Sequence, residues 1–393
     1  MIISARQLAV GLAGYVSFLN LYSPQAILPL LGQEFQAGAA EVSAIMTAGT
    51  LSVALIAPFA GTVADVLGRK RVIVIAMLAV VIPTALQALA PTLDALILWK
   101  FIQGLILPPI FAVTIAYIGE EWPRREAAAA AGIYTAGASL GGLSARFVTG
   151  VLADLAGWRA AYLVLAGVTL LCAVGVALML PREQKFVRSE GLAASARQML
   201  RHFRNTQLVA TYAVGFGTLF NFIATFTFIS FHLAAPPYGL SASAIGAIFL
   251  VYLIGTVLSP MVGWAIARFG RRNFVVGVVA VWAIGILLTL ASPLWLIIVG
   301  VAICAGAGLL TQAISTGYVA IGAERGASSA VGLYVSSFYV GGSAGAALGA
   351  LAWIAGGWPA CVALVLGMLV IMGLVVWLVW TPGPPVAPQR TSA

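Results

Sequence analysis

Long apolar stretches separated by short polar segments dominate this sequence of 393 residues. Twelve of the apolar stretches are long enough to cross a bilayer, which takes about 20 helical residues. We predict membrane-spanning helices, called spans 1 to 12, at 7–31, 42–62, 72–91, 95–118, 127–155, 160–180, 207–232, 242–266, 274–292, 294–320, 327–354 and 359–380. The pattern therefore predicts an all-α membrane protein with twelve transmembrane helices.

The composition predicts the same class. Hydrophobic residues make up 62% of the chain and charged residues 8%, whereas soluble domains carry about 25% charged residues. The net charge is +9, but the cations lie in short loops between apolar stretches, which predicts an orientation signal and no nucleic-acid surface. The three cysteines have neither metal-ligand nor disulfide spacing, and we expect no metal and no cofactor.

The distribution of basic residues predicts which side of the membrane each loop faces. If both termini are cytoplasmic, the loops richest in Lys and Arg all fall on the cytoplasmic side, as the positive-inside rule requires. The opposite side then receives Arg159 and mainly acidic residues. We therefore predict a multi-pass membrane protein with both termini in the cytoplasm.

A longer polar segment at 181–206 divides the spans six from six. We predict an N-terminal six-helix bundle at 1–180, a cytoplasmic linker at 181–206, a C-terminal six-helix bundle at 207–380 and a disordered cytoplasmic tail at 381–393. The middle of the linker has two interpretations. It is either a solvated tether between the bundles or, at 190–204, a basic amphipathic helix on anionic headgroups.

Sequence landmarks of the first half return in the second half at a nearly constant offset. They are a Pro-x-x-Gly pair, a Gly followed by two cations, a Gly-x-Tyr pair, a Gly-Gly pair and a Gly-Trp pair. They begin at Pro58, Gly68, Gly132, Gly141 and Gly157, and again at Pro260, Gly270, Gly332, Gly341 and Gly357. This repeat predicts two similar bundles of the same orientation, related by a pseudo-two-fold axis along the membrane normal.

Segment 61–71, Gly-Thr-Val-Ala-Asp-Val-Leu-Gly-Arg-Lys-Arg, interrupts the apolar pattern after span 2. We predict a short loop there, whose glycines allow close backbone approach. Together with twelve spans, the 6+6 repeat and the long central loop, this motif resembles the major facilitator superfamily over essentially the whole chain. The stretch 137–146 and Gly157-Trp158-Arg159 are similar to bacterial efflux permeases of the YnfM and arabinose-efflux type.

The resemblance implies a secondary transporter in which two bundles rock about a central site, so that access alternates between the two sides. It also implies that the loop after span 2 latches the cytoplasmic side. The residues that match this gating motif and its second copy are Gly61, Asp65, Gly68, Arg69, Arg71 and Arg271. The second copy has Ala267 in place of the Asp, and the glycine run of span 5 lacks the proline of many efflux members.

Two cations lie within the predicted spans, Lys100 in span 4 and Arg146 in span 5. A charge inside the bilayer costs on the order of 3 kcal/mol on insertion scales, so it marks a functional site by default. The alternatives are that Lys100 snorkels to the outer headgroups and that Arg146 pairs with Asp154 or with the backbone of another span. The spans carry no Asp or Glu near their middle, which predicts an anionic, zwitterionic or neutral polar substrate.

Polar residues of the spans and two repeat-related tyrosines complete the predicted substrate site. Its members are Arg146, Lys100, Asn20, Gln103, Asn221, Gln312, Tyr134 and Tyr334. Gln25 in span 1 is a further polar candidate. The glycines between 137 and 142 are predicted to pack closely between spans of the two halves.

These features predict a transporter rather than an enzyme. The sequence has no phosphate-binding glycine loop, so we do not expect ATP to drive transport. With the resemblance, we predict a monomer in the lipid bilayer of the bacterial inner membrane that exports small organic molecules, drug-like or sugar-like, coupled to protons. One alternative is an importer of a small organic anion or a sugar, and another is a non-transporting membrane receptor.

Overall fold

The computed structural model describes residues 4–184, 201–258, 261–322 and 327–381. Every regular element in these ranges is helical. The helices are α1 Ala5–Tyr22, α2 Leu28–Glu34, α3 Ala39–Ile56, α4 Ala60–Leu67, α5 Arg69–Ala88, α6 Leu93–Glu121, α7 Arg124–Ala156, α8 Trp158–Met179, α9 Thr206–Ala234, α10 Ala242–Ile248, a 3₁₀ turn Phe249–Tyr252, α11 Leu253–Leu258, α12 Val262–Phe269, α13 Arg271–Leu288, α14 Leu294–Gly322 and α15 Ala327–Val379. Both interpretations of the linker middle at 190–204 concern residues that lie mostly outside these ranges, as does most of the predicted tail.

The described helices confirm an all-α membrane protein. Eight of them are long and apolar enough to cross a membrane. The longest, α15, contains predicted spans 11 and 12 and folds at Gly356 and Gly357, where the backbone leaves helical geometry. Gly357 has a φ of 62°, a conformation that favours glycine. Spans 1, 2 and 8 are each divided into shorter helices, so the number twelve remains a prediction.

The predicted loop at 61–71 is wrong in extent. Helix α4 continues to Leu67 and α5 begins at Arg69, so the single residue Gly68 makes the turn. Gly68 has a φ of 91°, and a Cβ there would overlap the Glu183 carboxylate, so both conformation and space require glycine. A Cβ on Gly61 would meet no heavy atom within 4 Å, so no close backbone approach depends on that residue.

Glycines bring the same pair of helices together in each half. A methyl group on Gly141 of α7 would overlap the main chain of α1 at Tyr15, and Gly137 approaches α1 in the same way. A methyl group on Gly341 of α15 would overlap the main chain of α9 at Phe216. Small residues therefore let each helix pair pack backbone to backbone. The prediction that the span 5 glycines join the two halves is wrong, because α1 and α7 belong to the same half.

Two other glycines join the halves. A methyl group on Gly150 of α7 would overlap the carbonyl of Ala242, the first residue of α10. A methyl group on Gly246 of α10 would lie 2.7 Å from the carbonyl oxygen of Arg146. We call this contact of residues 146–154 with residues 241–252 the α7–α10 seam. The seam is tight because both helices present small residues to each other.

Polar groups also connect the halves. Asp154 near the end of α7 accepts a 2.8 Å hydrogen bond from the backbone N–H of Ser243 at the start of α10. The first N–H groups of a helix have no partner within that helix, so a carboxylate from the other half serves as a cap. Between α3 and α15, the hydroxyl oxygens of Thr50 and Ser343 are 2.9 Å apart. The halves are therefore closed against each other along both contacts.

The packing of α1 on α7 can be tested with two glycine substitutions in one helix. We expect Gly141→Ala to lower the melting temperature, since the added methyl group overlaps α1 and such overpacking costs roughly 1–3 kcal/mol. The control is Gly132→Ala, where a Cβ meets no heavy atom within 4 Å and alanine favours the helix by about 1 kcal/mol. Thermal unfolding in detergent measures both. Equal melting temperatures would contradict the packing.

The cap across the seam can be tested by hydrogen exchange. We expect Asp154→Ala to accelerate amide exchange at the start of α10 roughly two- to thirtyfold, because losing a helix cap costs about 0.5–2 kcal/mol. Exchange mass spectrometry on peptides from 241–248 measures the effect. The control, Asp94→Ala, removes an acid from the first turn of α6 and should leave α10 unchanged. Unaltered exchange in the Asp154 variant would argue against the cap.

Candidate functional site

Arg146 lies in the α7–α10 seam and is buried, with 4% exposure. Its guanidinium carbon lies 4.3 Å from the ring centroid of Tyr22, 4.9 Å from that of Phe249 and 4.7 Å from that of Tyr252. A cation over an aromatic face is attracted by the ring quadrupole. Tyr22 belongs to α1 and the other two rings belong to the 3₁₀ turn of the second half. These rings, here called the aromatic cage, therefore hold one charge between both halves.

Hydrogen bonds orient the caged guanidinium. Arg146 Nε donates to Gln25 Oε1 at 2.7 Å, and Nη1 donates to the carbonyl of Gly142 at 2.8 Å. Within the described ranges, Nη2 has no hydrogen-bond partner and no carboxylate contacts the guanidinium. The alternative pairing with Asp154 is wrong, because that carboxylate caps α10 instead.

A break in span 1 presents Tyr22 and Gln25 to α7. Helix α1 ends at Tyr22, residues 23–27 form a turn that contains Pro24, and α2 begins at Leu28. Proline lacks an N–H group and is disfavoured inside a helix, so a break is expected near it. The break leaves carbonyl groups of the last turn of α1 without helical partners.

Lys100 binds one of these free carbonyls. Its ammonium donates to the carbonyl of Asn20 at 2.7 Å and to Gln103 Oε1 at 2.8 Å. Cations are favoured near helix C-termini, because the carbonyl groups there carry partial negative charge. Lys100 is fully buried, so the snorkelling alternative is wrong. The lysine therefore stabilises the broken end of α1.

Asn20 is the centre of a buried hydrogen-bond network. Its Oδ1 accepts from Thr84 at 2.7 Å and from Gln103 at 3.1 Å, and its Nδ2 donates to Thr169 at 3.0 Å. These residues belong to α1, α5, α6 and α8, all in the first half. Fully satisfied buried networks rigidify the helices they join. The structure thus brings Asn20, Lys100 and Gln103 together in one network, while Arg146 lies in the cage.

Among the residues that the structure describes, no such network is present at the corresponding position of the second half. Asn221 of α9 lies 201 residues after Asn20 and is also fully buried. Its Nδ2 lies 3.3 Å from the sulfur of Met372, and its Oδ1 has no partner among the described residues. Gln312 is partly buried on α14. The two predicted polar residues of the second half therefore join neither the network nor the cage.

The repeat-related tyrosines occupy equivalent places. Tyr134 of α7 covers Gly14 of α1, and Tyr334 of α15 covers Gly215 of α9. Both tyrosines are buried. Tyr134 packs on α1, and Tyr334 packs on α9, the corresponding helix of the second half. The arrangement of the two tyrosines therefore follows the repeat.

The two halves hold their equivalent gating cations differently. Arg69 Nε and Nη2 donate to the two carboxylate oxygens of Glu120, each at 2.5 Å. The guanidinium carbon of Arg271 instead lies 3.3 Å from the ring centroid of Tyr318 and 3.8 Å from that of Trp380. The first cation is thus held by an opposite charge. Its counterpart is held by two rings and by a 3.2 Å hydrogen bond that its Nη2 donates to Gln207 Oε1.

The remaining gating predictions are less informative. Arg71 is exposed at the start of α5. Asp65 lies in α4, but its side chain lies outside the part of the chain that the structure describes. The predicted latch through Asp65 stays a prediction.

The sequence does not reveal that Phe249 and Tyr252 of the second half belong to the aromatic cage. Phe249 and Tyr252 are three residues apart, which places them on one side of a 3₁₀ turn. Within an apolar span, this spacing is indistinguishable from ordinary packing residues. Gly150 and Gly246 were also missed as seam residues, because glycines are common throughout the chain.

Comparison with known proteins identifies the family. The model of the Major Facilitator Superfamily matches residues 10–236 and 214–393. The inner membrane transport protein YnfM of Escherichia coli is 32% identical over 94% of this chain and 88% of its own length. An uncharacterized transporter of Buchnera aphidicola, subspecies Schizaphis graminum, is 27% identical over 88% of this chain and 84% of its own length.

Solved transporter structures share the fold. The nucleoside transporter NupG superposes with a TM-score of 0.78 at 15% identity, over 95% of this chain and 100% of that structure. A bacterial homologue of the human lysosomal transporter Spinster, in an inward-facing and occupied conformation, gives a TM-score of 0.76 at 17% identity, over 96% of this chain and 98% of its own. The predicted all-α major facilitator fold is therefore confirmed, and this chain belongs to the major facilitator superfamily of membrane transporters and is not an enzyme.

Proposed function

We propose that this protein is a proton-coupled exporter of small organic molecules and that the cage around Arg146 is part of its substrate site. The observation that carries the proposal is a buried guanidinium held between the halves without a contacting carboxylate among the described residues. A group that both halves touch changes its surroundings whenever the halves move. That is the property that a site accessible from alternate sides requires.

The location of Arg146 fits the architecture of secondary transporters. Their substrate sites lie near the bilayer midplane at the interface between repeats, and broken helices commonly form them. Arg146 lies at such an interface and contacts the break in span 1 through Gln25. In this proposal Lys100, Asn20 and Gln103 hold α1 in the shape that presents Tyr22 to the site.

We place the protein in the inner membrane of a bacterium, which is the membrane of YnfM. We place both termini in the cytoplasm. The α7–α10 seam then lies toward the periplasm, and the conformation described here is closed on that side. The bundles 1–180 and 207–380 move as bodies joined by the linker 181–206, and a single chain contains the complete site. The motif around Gly68 and Arg69 controls the cytoplasmic side.

Efflux is supported by the similarity of residues 137–146 to efflux permeases. A buried cation without a contacting carboxylate also suits an importer of a small organic anion, so the direction of flux must be measured. A receptor would bind its ligand without moving it.

Flux in proteoliposomes tests the function. The purified protein is reconstituted with a pH gradient and offered organic acids, sugars and neutral drug-like compounds. We expect exchange of one compound class against protons, abolished by an ionophore that dissipates the gradient, and depletion of that class from expressing cells. Accumulation in cells would instead identify an importer. Binding without flux would leave the receptor as the correct alternative.

Substitution of the two membrane cations tests the site. We expect Arg146→Ala to reduce kcat/KM for transport at least tenfold, because the cation leaves the site, and Lys100→Ala to reduce transport by loosening α1. Arg146→Lys should fall between parent and alanine variant, since lysine keeps the charge but not the planar fork. The control is Arg159→Ala, at a residue whose side chain is 47% exposed. Parental transport in both alanine variants would refute the site.

A further inference from the structure

Two neighbouring side chains, one in the break of span 1 and one in the α7–α10 seam, keep hydrogen-bond donors that no described residue accepts. They are Nε2 of Gln25, a buried atom without a hydrogen-bond partner, and Nη2 of Arg146, for which no acceptor lies among the described residues. Each nitrogen carries two hydrogens. Buried polar groups in native proteins are normally paired, so the unpaired amide nitrogen of Gln25 requires an explanation. An anion bound between the halves would accept hydrogen bonds from both nitrogens.

The contact between these two residues fixes their orientation. Gln25 Oε1 accepts the Nε–H of Arg146 at 2.7 Å. If the amide were turned over, its NH₂ group would face the arginine N–H, and two donors would oppose each other. The amide nitrogen therefore stays free on the same planar group that contacts the guanidinium, and both unpaired donors belong to one small cluster.

Aromatic rings extend from this cluster across the molecule. The ring centroid of Tyr22 lies 6.1 Å from that of Phe18, which lies 6.4 Å from that of Phe111. The ring of Phe111 stacks at 6.1 Å on Tyr339 of α15. The row thus begins at the cage and crosses from α1 and α6 to the second half. Such rings favour planar apolar bodies through offset or edge contacts.

We propose that Gln25 Nε2 and Arg146 Nη2 form a paired donor site for the carboxylate of the transported molecule, a small organic acid with an aromatic or otherwise planar body. This inference rests on the proposed function and names its substrate class. One carboxylate oxygen accepts from the guanidinium and the other accepts from the amide. The anion also supplies the opposite charge that the described surroundings of Arg146 do not provide.

Replacing Gln25 by glutamate separates this role from a structural one. Gln25→Glu keeps an oxygen that accepts from Arg146 Nε, so a purely structural role predicts normal behaviour. The variant removes the NH₂ donor and places a carboxylate where we infer the substrate's carboxylate binds. We therefore expect the internal anion to pair with Arg146 and to exclude the substrate.

The experiment compares benzoate and hydroxybenzoates with their methyl esters, in direct binding and in proteoliposome flux. We expect the parent to bind at least one acid ten or more times more tightly than its ester, and Gln25→Glu to lose at least tenfold in affinity for that acid at an unchanged melting temperature. The control, Gln33→Glu, adds the same charge at an exposed residue and should bind like the parent. If Gln25→Glu does not fold, Gln25→Met, which has no N–H donor and only a weak sulfur acceptor, replaces it.

Equal binding of acids and esters, binding of neither, or unchanged acid affinity in the Gln25 variant would overturn the inference. Flux of neutral compounds in those cases would leave the proposed transport function intact. Tight acid binding by the parent without any flux would instead contradict the proposed function and leave the donor site standing.

Discussion

The contacts of one buried guanidinium, that of Arg146, with both packed halves determine how this structure is arranged. Inside a bilayer no bulk water solvates a charge, so the protein itself must provide oxygen atoms, π faces or an opposite charge. Arg146 receives two oxygens and the rings of the cage. Two features of the fold bring these partners to the guanidinium. The break of α1 presents Tyr22 and Gln25, and the small residues of the α7–α10 seam bring the 3₁₀ turn within reach.

The repeat supplies a common scaffold and leaves the chemistry to each half. Backbone packing is duplicated, with α7 against α1 and α15 against α9. The polar groups placed on that scaffold are not. Asn20 is the centre of a network that includes Lys100, whereas Asn221 lies against the sulfur of Met372. A duplicated frame with unequal contents suits a protein that needs two similar moving bodies and one asymmetric site between them.

The sequence was sufficient for the class, the family and the repeat, because apolar length and landmark spacing are properties of the chain itself. It also indicated Arg146 and Lys100, because charge inside an apolar span is rare. It could not show which helix faces meet. The glycines of span 5 were therefore assigned to the wrong partner, and Gly150 was overlooked. The polar motif at 61–71 resembles a loop, although α4 and α5 occupy all of it except Gly68. In sequence, Phe249 resembles any other core residue, because its contact with Arg146 depends on the fold. The number of spans and the boundaries of the two bundles remain predictions.

We expect the α7–α10 seam to open during transport, so that Phe249 and Tyr252 separate from the guanidinium of Arg146. Pulsed electron paramagnetic resonance can measure this opening with one spin label in each half. The labels are placed at Leu155 and Ala235, both exposed, in a variant without the three native cysteines. In liposomes under a pH gradient with a transported compound, we expect a second, longer distance between the labels, more populated when Arg146 is replaced by alanine. A single unchanged distance under all conditions, while transport continues, would contradict it.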